Sequence, residues 1–184
     1  MGTESPAGDL GTAAPRFSLP ATDGRTLTLD DVRGERGVVV VFMCNHCPYV
    51  KSALARLIRD ARDLAPLGIG IVGINANDAR IYPEDSFDRM VAFAADAGLP
   101  FPYLYDETQQ TARAYGAVCT PECFGFDANL RLCYRGRVDA SRKDPLAGAP
   151  RDLFEAMRQV AQTGEGPAQQ HPAFGCSIKW KLET

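Results

Sequence analysis

The chain has little of what would place it on a membrane or on nucleic acid. No run approaches the ~18 consecutive apolar residues of a bilayer span. No dense basic cluster is present and the net charge is only −3, so nucleic acid is not an expected partner. Met1 to Pro15 is Gly, Ala, Pro and acid, without a basic n-region or an apolar h-region, which argues against secretion and for a cytoplasmic location. There is no internal repeat, and 184 residues suffice for one domain with a sizeable core. Hydrophobic content of 45% and charged content of 23% are ordinary for a globular protein. Sulfur is not scarce. Six cysteines in a chain without an export signal favour redox or metal chemistry over a disulfide-stapled framework.

Two of them close the stretch Val38-Val39-Val40-Val41-Phe42-Met43-Cys44-Asn45-His46-Cys47-Pro48-Tyr49. An apolar β-branched run ends in Cys-x-x-Cys, and an amphipathic helical pattern follows with Val50, Leu54, Leu57, Ile58, Ala61 and Leu64 on one stripe. A strand would thus deliver two thiols to a helix N-terminus, where free N–H groups and the helix dipole favour a thiolate. Cys44 is expected to attack and Cys47 to resolve, with Asn45 and His46 tuning the couple. A protonated His46 would favour a Cys44 thiolate, whereas a solvent-exposed His46 would have no role.

Elsewhere the pattern gives short strands at Phe17–Leu19 and Thr26–Leu29, a buried strand at Ile69–Asn75 after Pro66 and Gly68, and a polar loop from Asn77 to Asp85. A helix from Ser86 stops at Gly98, and a short strand Phe101–Tyr105 and a short helix Thr108–Tyr115 follow. Glu122–Phe126 and Leu130–Val138 read as a hairpin, and Arg151–Gln162 as the last helix. The strand–helix–strand unit predicts a parallel pair with a right-handed crossover.

Cys119-Thr120-Pro121-Glu122-Cys123 is the second part of the expected site. A Thr-Pro step opening a strand is a place for a cis peptide bond, and the Thr120 backbone would then be open to pair with an extended peptide. In an extended segment residues 119, 121 and 123 point the same way, so Cys119 or Cys123 could approach Cys44 as a second disulfide relay. A metal held by Cys44, Cys47 and one of these is the alternative, but the gap of about 70 residues does not match the ~15–20 of common zinc ribbons. No metal or other cofactor is therefore assigned. Cys133 reads as a small core residue, and His171 as surface loop. Cys176 sits in a tail whose Phe174, Ile178 and Trp180 need burial; it is expected to be tied to another cysteine, such as Cys119, or to serve as a mobile resolving thiol.

With these residues the chain resembles the thioredoxin superfamily, in the redoxin or peroxiredoxin-like group related to AhpC/TSA proteins. The resemblance rests on Phe42 to Pro48, on Thr120-Pro121 as the cis-proline loop, on the extra helix and strand at about 86–105, and on Asn77-Asp78, Tyr82-Pro83-Glu84-Asp85-Ser86 and Gly175-Cys176-Ser177-Ile178-Lys179-Trp180-Lys181. It implies an α/β thioredoxin-like fold, a central mixed β-sheet flanked by helices, with an N-terminal β-hairpin and the redoxin helix–strand insertion. The boundaries it suggests are a flexible arm at 1–15, a redoxin domain at 16–164 and a tail packed back on it at 165–184.

Departures from the family pattern narrow the chemistry. A peroxiredoxin carries Thr or Ser three residues before its peroxidatic cysteine and Pro four before that; with Cys47 in that place, the positions hold Cys44 and Val40. No Arg occupies the Thr120-Pro121 step, so the set that polarises a peroxide is missing. Thioredoxin's buried Asp corresponds to Val38, which leaves Glu122 as a candidate for taking the Cys47 proton. The resemblance and the motif together point to a thiol–disulfide oxidoreductase acting through Cys44 and Cys47, supported by Asn45, His46, Pro48, Thr120, Pro121 and Glu122. Its expected partners are protein disulfides or thiols and a thiol reductant or oxidant, with no nucleic acid and no membrane; peroxidase activity by the family mechanism is not expected. The alternatives are a redoxin-fold binding module whose cysteines hold a metal or a structural disulfide, and a weak, atypical thiol peroxidase.

Overall fold

The structure is a computed structural model and describes residues 2–182. In chain order the strands are β1 (Gly2–Glu4), β2 (Ser18–Pro20), β3 (Thr26–Thr28), β4 (Gly37–Phe42), β5 (Ile69–Asn75), β6 (Tyr103–Tyr105), β7 (Cys119–Thr120), β8 (Glu122–Asp127), β9 (Leu132–Gly136) and β10 (Phe174–Ser177). The α-helices are α1 (Leu29–Val32), α2 (Pro48–Leu64), α3 (Phe87–Ala97), α4 (Gln110–Tyr115) and α5 (Asp152–Thr163).

β4 is apolar at each of its six positions because both faces of its sheet are covered. It lies at the centre of a five-stranded mixed sheet in the order β6-β5-β4-β8-β9. β5 runs parallel to β4, with Val40 opposite Val72, and β8 runs antiparallel, with Val41 opposite Cys123. The strand's period of two sorts its side chains. Val39, Val41 and Met43 join one core with Leu57, Leu64, Leu153 and Met157 from α2 and α5. Val38, Val40 and Phe42 join the other, with Leu29 of α1 and Ala112 and Tyr115 of α4.

α2 starts at Pro48, whose missing N–H costs nothing in the first helical position, and it buries Val50, Ala53, Leu57, Ala61 and Leu64. It ends against Gly68, which takes a left-handed φ of 83°. α3 is capped by the Ser86 hydroxyl, which accepts from the Arg89 N–H, and stops at Gly98. This is the inserted helix, and β6 is the strand that follows it. After β3, α1 forms because Thr28 and Asp31 make a reciprocal capping box and Leu29 and Val32 are buried, so Leu29 begins this helix rather than ending the expected strand.

The two chain ends meet in a small second sheet of order β1-β10-β7. The segment expected to be a flexible arm is docked along residues 2–14. β1 pairs with β10, the Ser5 N–H donates to Ala173, and Gly11 and Ala14 bond backbone groups of Leu132 and Leu130. The reason is the partner strand: β10 leaves an edge that a short Gly-containing strand can complete, and Gly2 admits the Phe174 ring where a side chain would collide. No described helix is long and apolar enough to cross a membrane.

Candidate active site

β4 ends at Phe42 and carries the dithiol to the N-terminus of α2, with Cys47 as the residue preceding its first turn. Both sulfurs are covered: Cys44 is 1% exposed and Cys47 0%. Burial alone would raise both thiols. The two diverge because their surroundings differ. Cys47 is lowered to about 4, chiefly because the Cys44 thiol donates to it, with further support from Cys176, the Thr120 hydroxyl and the backbone N–H of Val50. Cys44 is pushed well above an ordinary thiol by that same hydrogen bond, by burial and by the Asp85 carboxylate. As a thiol Cys47 would donate to the Thr120 carbonyl at 3.3 Å, a contact outweighed by the donors that favour its charge. The motif order points to reactivity at Cys44, whereas these surroundings favour ionisation at Cys47.

Asp85 adds to that asymmetry after the thiol–thiol hydrogen bond and burial, and the sequence offered no role for it. It is fully buried, and its Oδ1 accepts the backbone N–H groups of Asn45 at 2.8 Å and His46 at 3.3 Å. Its Oδ2 accepts from Asn77 Nδ2 at 2.8 Å and pairs with His46 Nδ1 at 2.5 Å. Two N–H groups between the cysteines are thereby spent on a carboxylate rather than left for Cys44. His46 is fixed by Asp85 and stacks on Tyr82 with ring centroids 5.4 Å apart, so it is not a free solvent group. Asn45 donates to the Glu84 carbonyl at 2.9 Å and accepts from the Tyr103 hydroxyl at 2.8 Å. The insertion loop thus clamps the intervening pair from outside. Cys44 Sγ, a His46 ring nitrogen and an Asp85 oxygen all lie within 4.8 Å of one another, a donor set that could hold a metal ion. It differs from the set expected from the sequence, and each of its carboxylate oxygens already accepts hydrogen bonds within the protein.

The Thr120–Pro121 peptide bond is cis. Thr120 faces both motif cysteines, its hydroxyl 3.6 Å from Cys44 Sγ. Its edge is not open to a peptide, however, because β10 pairs with it, Cys176 opposite Thr120 and Ser177 opposite Cys119.

Glu122 does not serve the dithiol. It is fully buried in an ion pair with Arg135 at 2.6 Å and accepts the N–H groups of Val118 and Cys119. That pairing fixes it in the core, where Arg135 also stacks over Phe124. Cys119 and Cys123 are fully buried and their thiols are raised, mainly by burial and the neighbouring Glu122 charge. Neither hydrogen-bonds Cys44: Cys119 Sγ points to Glu122 at 3.9 Å, and Cys123 lies opposite Val41 in the sheet. A Cys119–Cys176 bridge is disfavoured by register, since Cys176 shares a face with Thr120 and not with its neighbour. Cys133 is half-buried and bonds the Arg131 carbonyl, and His171 uses its backbone carbonyl to accept from Arg137.

A dithiol at the start of a helix, beside a cis-proline segment and over a mixed sheet, defines a thioredoxin-like redox fold. Residues 10–135 match the AhpC/TSA family, and the chain belongs to it. Thiol-disulfide oxidoreductase ResA of Geobacillus thermodenitrificans is 30% identical over 134 residues, covering 71% of this chain and 70% of that protein. Peroxiredoxin Bcp of Escherichia coli is 29% identical over 110 residues, covering 60% of this chain and 64% of that protein. Among solved structures, an uncharacterized conserved protein from Geobacillus kaustophilus is 44% identical with a TM-score of 0.93, covering 100% of this chain and 98% of the other. A hypothetical protein from Sinorhizobium meliloti is 38% identical with a TM-score of 0.91, covering 98% and 100%. The relatives place the chain in a redox enzyme family that includes both disulfide and peroxide chemistry.

Proposed function

We propose that the protein is a thiol–disulfide oxidoreductase whose nucleophile is Cys47 and whose resolving thiol is Cys44, acting on protein disulfides with a separate thiol reductant. The observation that carries this is the Cys44–Cys47 contact, with the charge held on Cys47 at about 4 and the proton on Cys44. The Cys47 thiolate attacks one sulfur of a substrate disulfide, and the other sulfur leaves as thiolate. Cys44 then attacks Cys47 and releases the first substrate sulfur, while its proton passes to a departing thiolate. The Cys44–Cys47 disulfide forms and the substrate disulfide is reduced, one of its sulfurs taking the Cys44 proton and the other a proton from solvent. This reverses the roles the motif order suggests, chiefly because the Cys44 thiol donates to Cys47, with burial and Asp85 adding to the difference.

Disulfide rather than peroxide chemistry is favoured by the neighbours of Cys47. Its charge is supported by thiols, a hydroxyl and one backbone N–H, with no Arg among them. The test is insulin reduction with dithiothreitol, run beside stopped-flow consumption of hydrogen peroxide. Insulin reduction above the dithiothreitol background, with peroxide consumed no faster than by free cysteine, supports the proposal. Fast peroxide consumption with no insulin reduction overturns it. The metal-binding reading has its own support in the Cys44, His46 and Asp85 set. It would require stoichiometric zinc or copper in the protein by elemental analysis, together with an inert dithiol.

A further inference from the structure

The groove beside Thr120 is where an extended peptide would add as a strand, and in this protein β10 of the same chain fills it. Cys176 sits opposite Thr120 in that pairing, and residues opposite each other in an antiparallel ladder share a face. The Thr120 side chain on that face points to Cys44, and the Thr120 carbonyl contacts Cys47. Cys176 therefore lies beside Cys47, close enough for each to shift the other's ionisation, and packs against the core that contains both motif cysteines. Gly175 makes the approach possible: a Cβ there would lie 1.9 Å from the Thr120 carbonyl oxygen. Of the three sulfurs Cys176 is the most exposed, being half-buried where the other two are closed off.

We propose that Cys176 is a second resolving thiol, carried on a built-in strand in the peptide groove, so that Cys47 exchanges between disulfides with Cys44 and with Cys176. The inference rests on Cys47 being the nucleophile. In the exchange, Cys176 sulfur attacks Cys47 in the Cys44–Cys47 disulfide. That S–S bond breaks, the Cys47–Cys176 bond forms, and Cys44 leaves as a thiolate that takes up the proton Cys176 gave up. No electrons enter or leave; the oxidising equivalent moves from a closed-off sulfur pair to one that reaches the surface. The timing follows from electrostatics. In the reduced protein Cys176 is raised to about 11, by burial first and then by the hydrogen bond and charge of Cys47. Once Cys47 is in a disulfide that charge is gone while the favourable influence of Lys179 stays, so Cys176 ionises more readily when it is needed.

The experiment uses the full chain as Cys44→Ser and as Cys44→Ser/Cys176→Ser. Each is reduced, exposed to oxidised glutathione, acid-quenched, alkylated and mapped by mass spectrometry. The proposal expects Cys44→Ser to expel glutathione and carry a Cys47–Cys176 disulfide, with at least tenfold less glutathione on Cys47 than in the double variant. Glutathione retained on Cys47 of Cys44→Ser, with Cys176 alkylated, overturns it. Diamide oxidation of Cys44→Ser separates this from the nucleophile assignment, because diamide closes any pair of adjacent thiols. A Cys47–Cys176 bond with diamide, but no glutathione on the double variant, would retain the pairing and sink Cys47 as nucleophile. No such bond with diamide sinks the pairing itself. Far-UV circular dichroism confirms folding of each variant, and Cys133→Ser, remote from the exchange, should map as wild type.

Discussion

Cys47 and Cys123 are both fully buried thiols, yet they are pushed in opposite directions. Cys123 lies mid-strand in β8, where burial and the Glu122, Asp60 and Asp139 charges all oppose ionisation. Cys47 is as covered, but it adjoins the start of α2 and receives the Cys44 thiol, Cys176, the Thr120 hydroxyl and a backbone N–H. Burial therefore does not decide which thiol ionises readily; the number and kind of donors do. The same contrast separates Glu122 from Asp85. Both are buried carboxylates, but Glu122 is neutralised by Arg135 in the core, whereas Asp85 spends its oxygens on the backbone and His46 of the motif.

The comparison can be broken most sharply at the thiols. Cys47→Ser should lower insulin reduction by about 10³-fold or more, while Cys123→Ala should stay within about twofold, because its side chain packs in the hydrophobic core and a methyl fills most of its space. A comparable loss in both variants would remove the distinction. At the carboxylates, Glu122→Ala leaves Arg135 charged and buried, and should cost about 3–5 kcal/mol in urea unfolding without moving the Cys47 titration. Asp85→Ala strands the N–H groups of Asn45 and His46 and the Asn77 amide, at a cost of about 1–3 kcal/mol. Unlike Glu122→Ala, it should lower the Cys44 titration, since the charge that opposes its ionisation is gone.

The contrast also carries a pH dependence. Cys47 ionises below its ordinary value of 9.0, so its charge adds stability that is complete above that pH and is lost as pH falls through about 4. The gap in urea midpoint between reduced wild type and Cys47→Ser should therefore narrow steadily as pH is lowered from about 8 to about 4. A constant gap would place the charge elsewhere.

What could be read from the chain was what is local. The run Val38–Phe42, the helix that buries Val50, Leu57 and Leu64, the Cys-x-x-Cys between them and the cap at Ser86 are each set by residues within a turn or two. The Thr-Pro step was legible for the same reason. The site's polarity was not, because it comes from pairs distant in sequence. Asp85 reaches Asn45 across 40 residues, and Thr120 reaches Cys47 across 73. Period-two alternation suggested that Cys119 or Cys123 could approach the dithiol, but it cannot say which face of β7 or β8 meets which element. Register supplied that answer and brought Cys176 instead. The docking of residues 2–14 escaped for a related reason, since a Gly/Ala/Pro segment forms a strand only when another strand offers it an edge.

The most direct test is a thiolate titration of the fully reduced protein by ultraviolet absorbance, wild type against Cys47→Ser. One thiolate per molecule, present at neutral pH, titrating near 4 and missing from Cys47→Ser, is the predicted result. A thiolate that survives in Cys47→Ser and vanishes in Cys44→Ser would contradict it, and would return the nucleophile's role to the first cysteine of the motif.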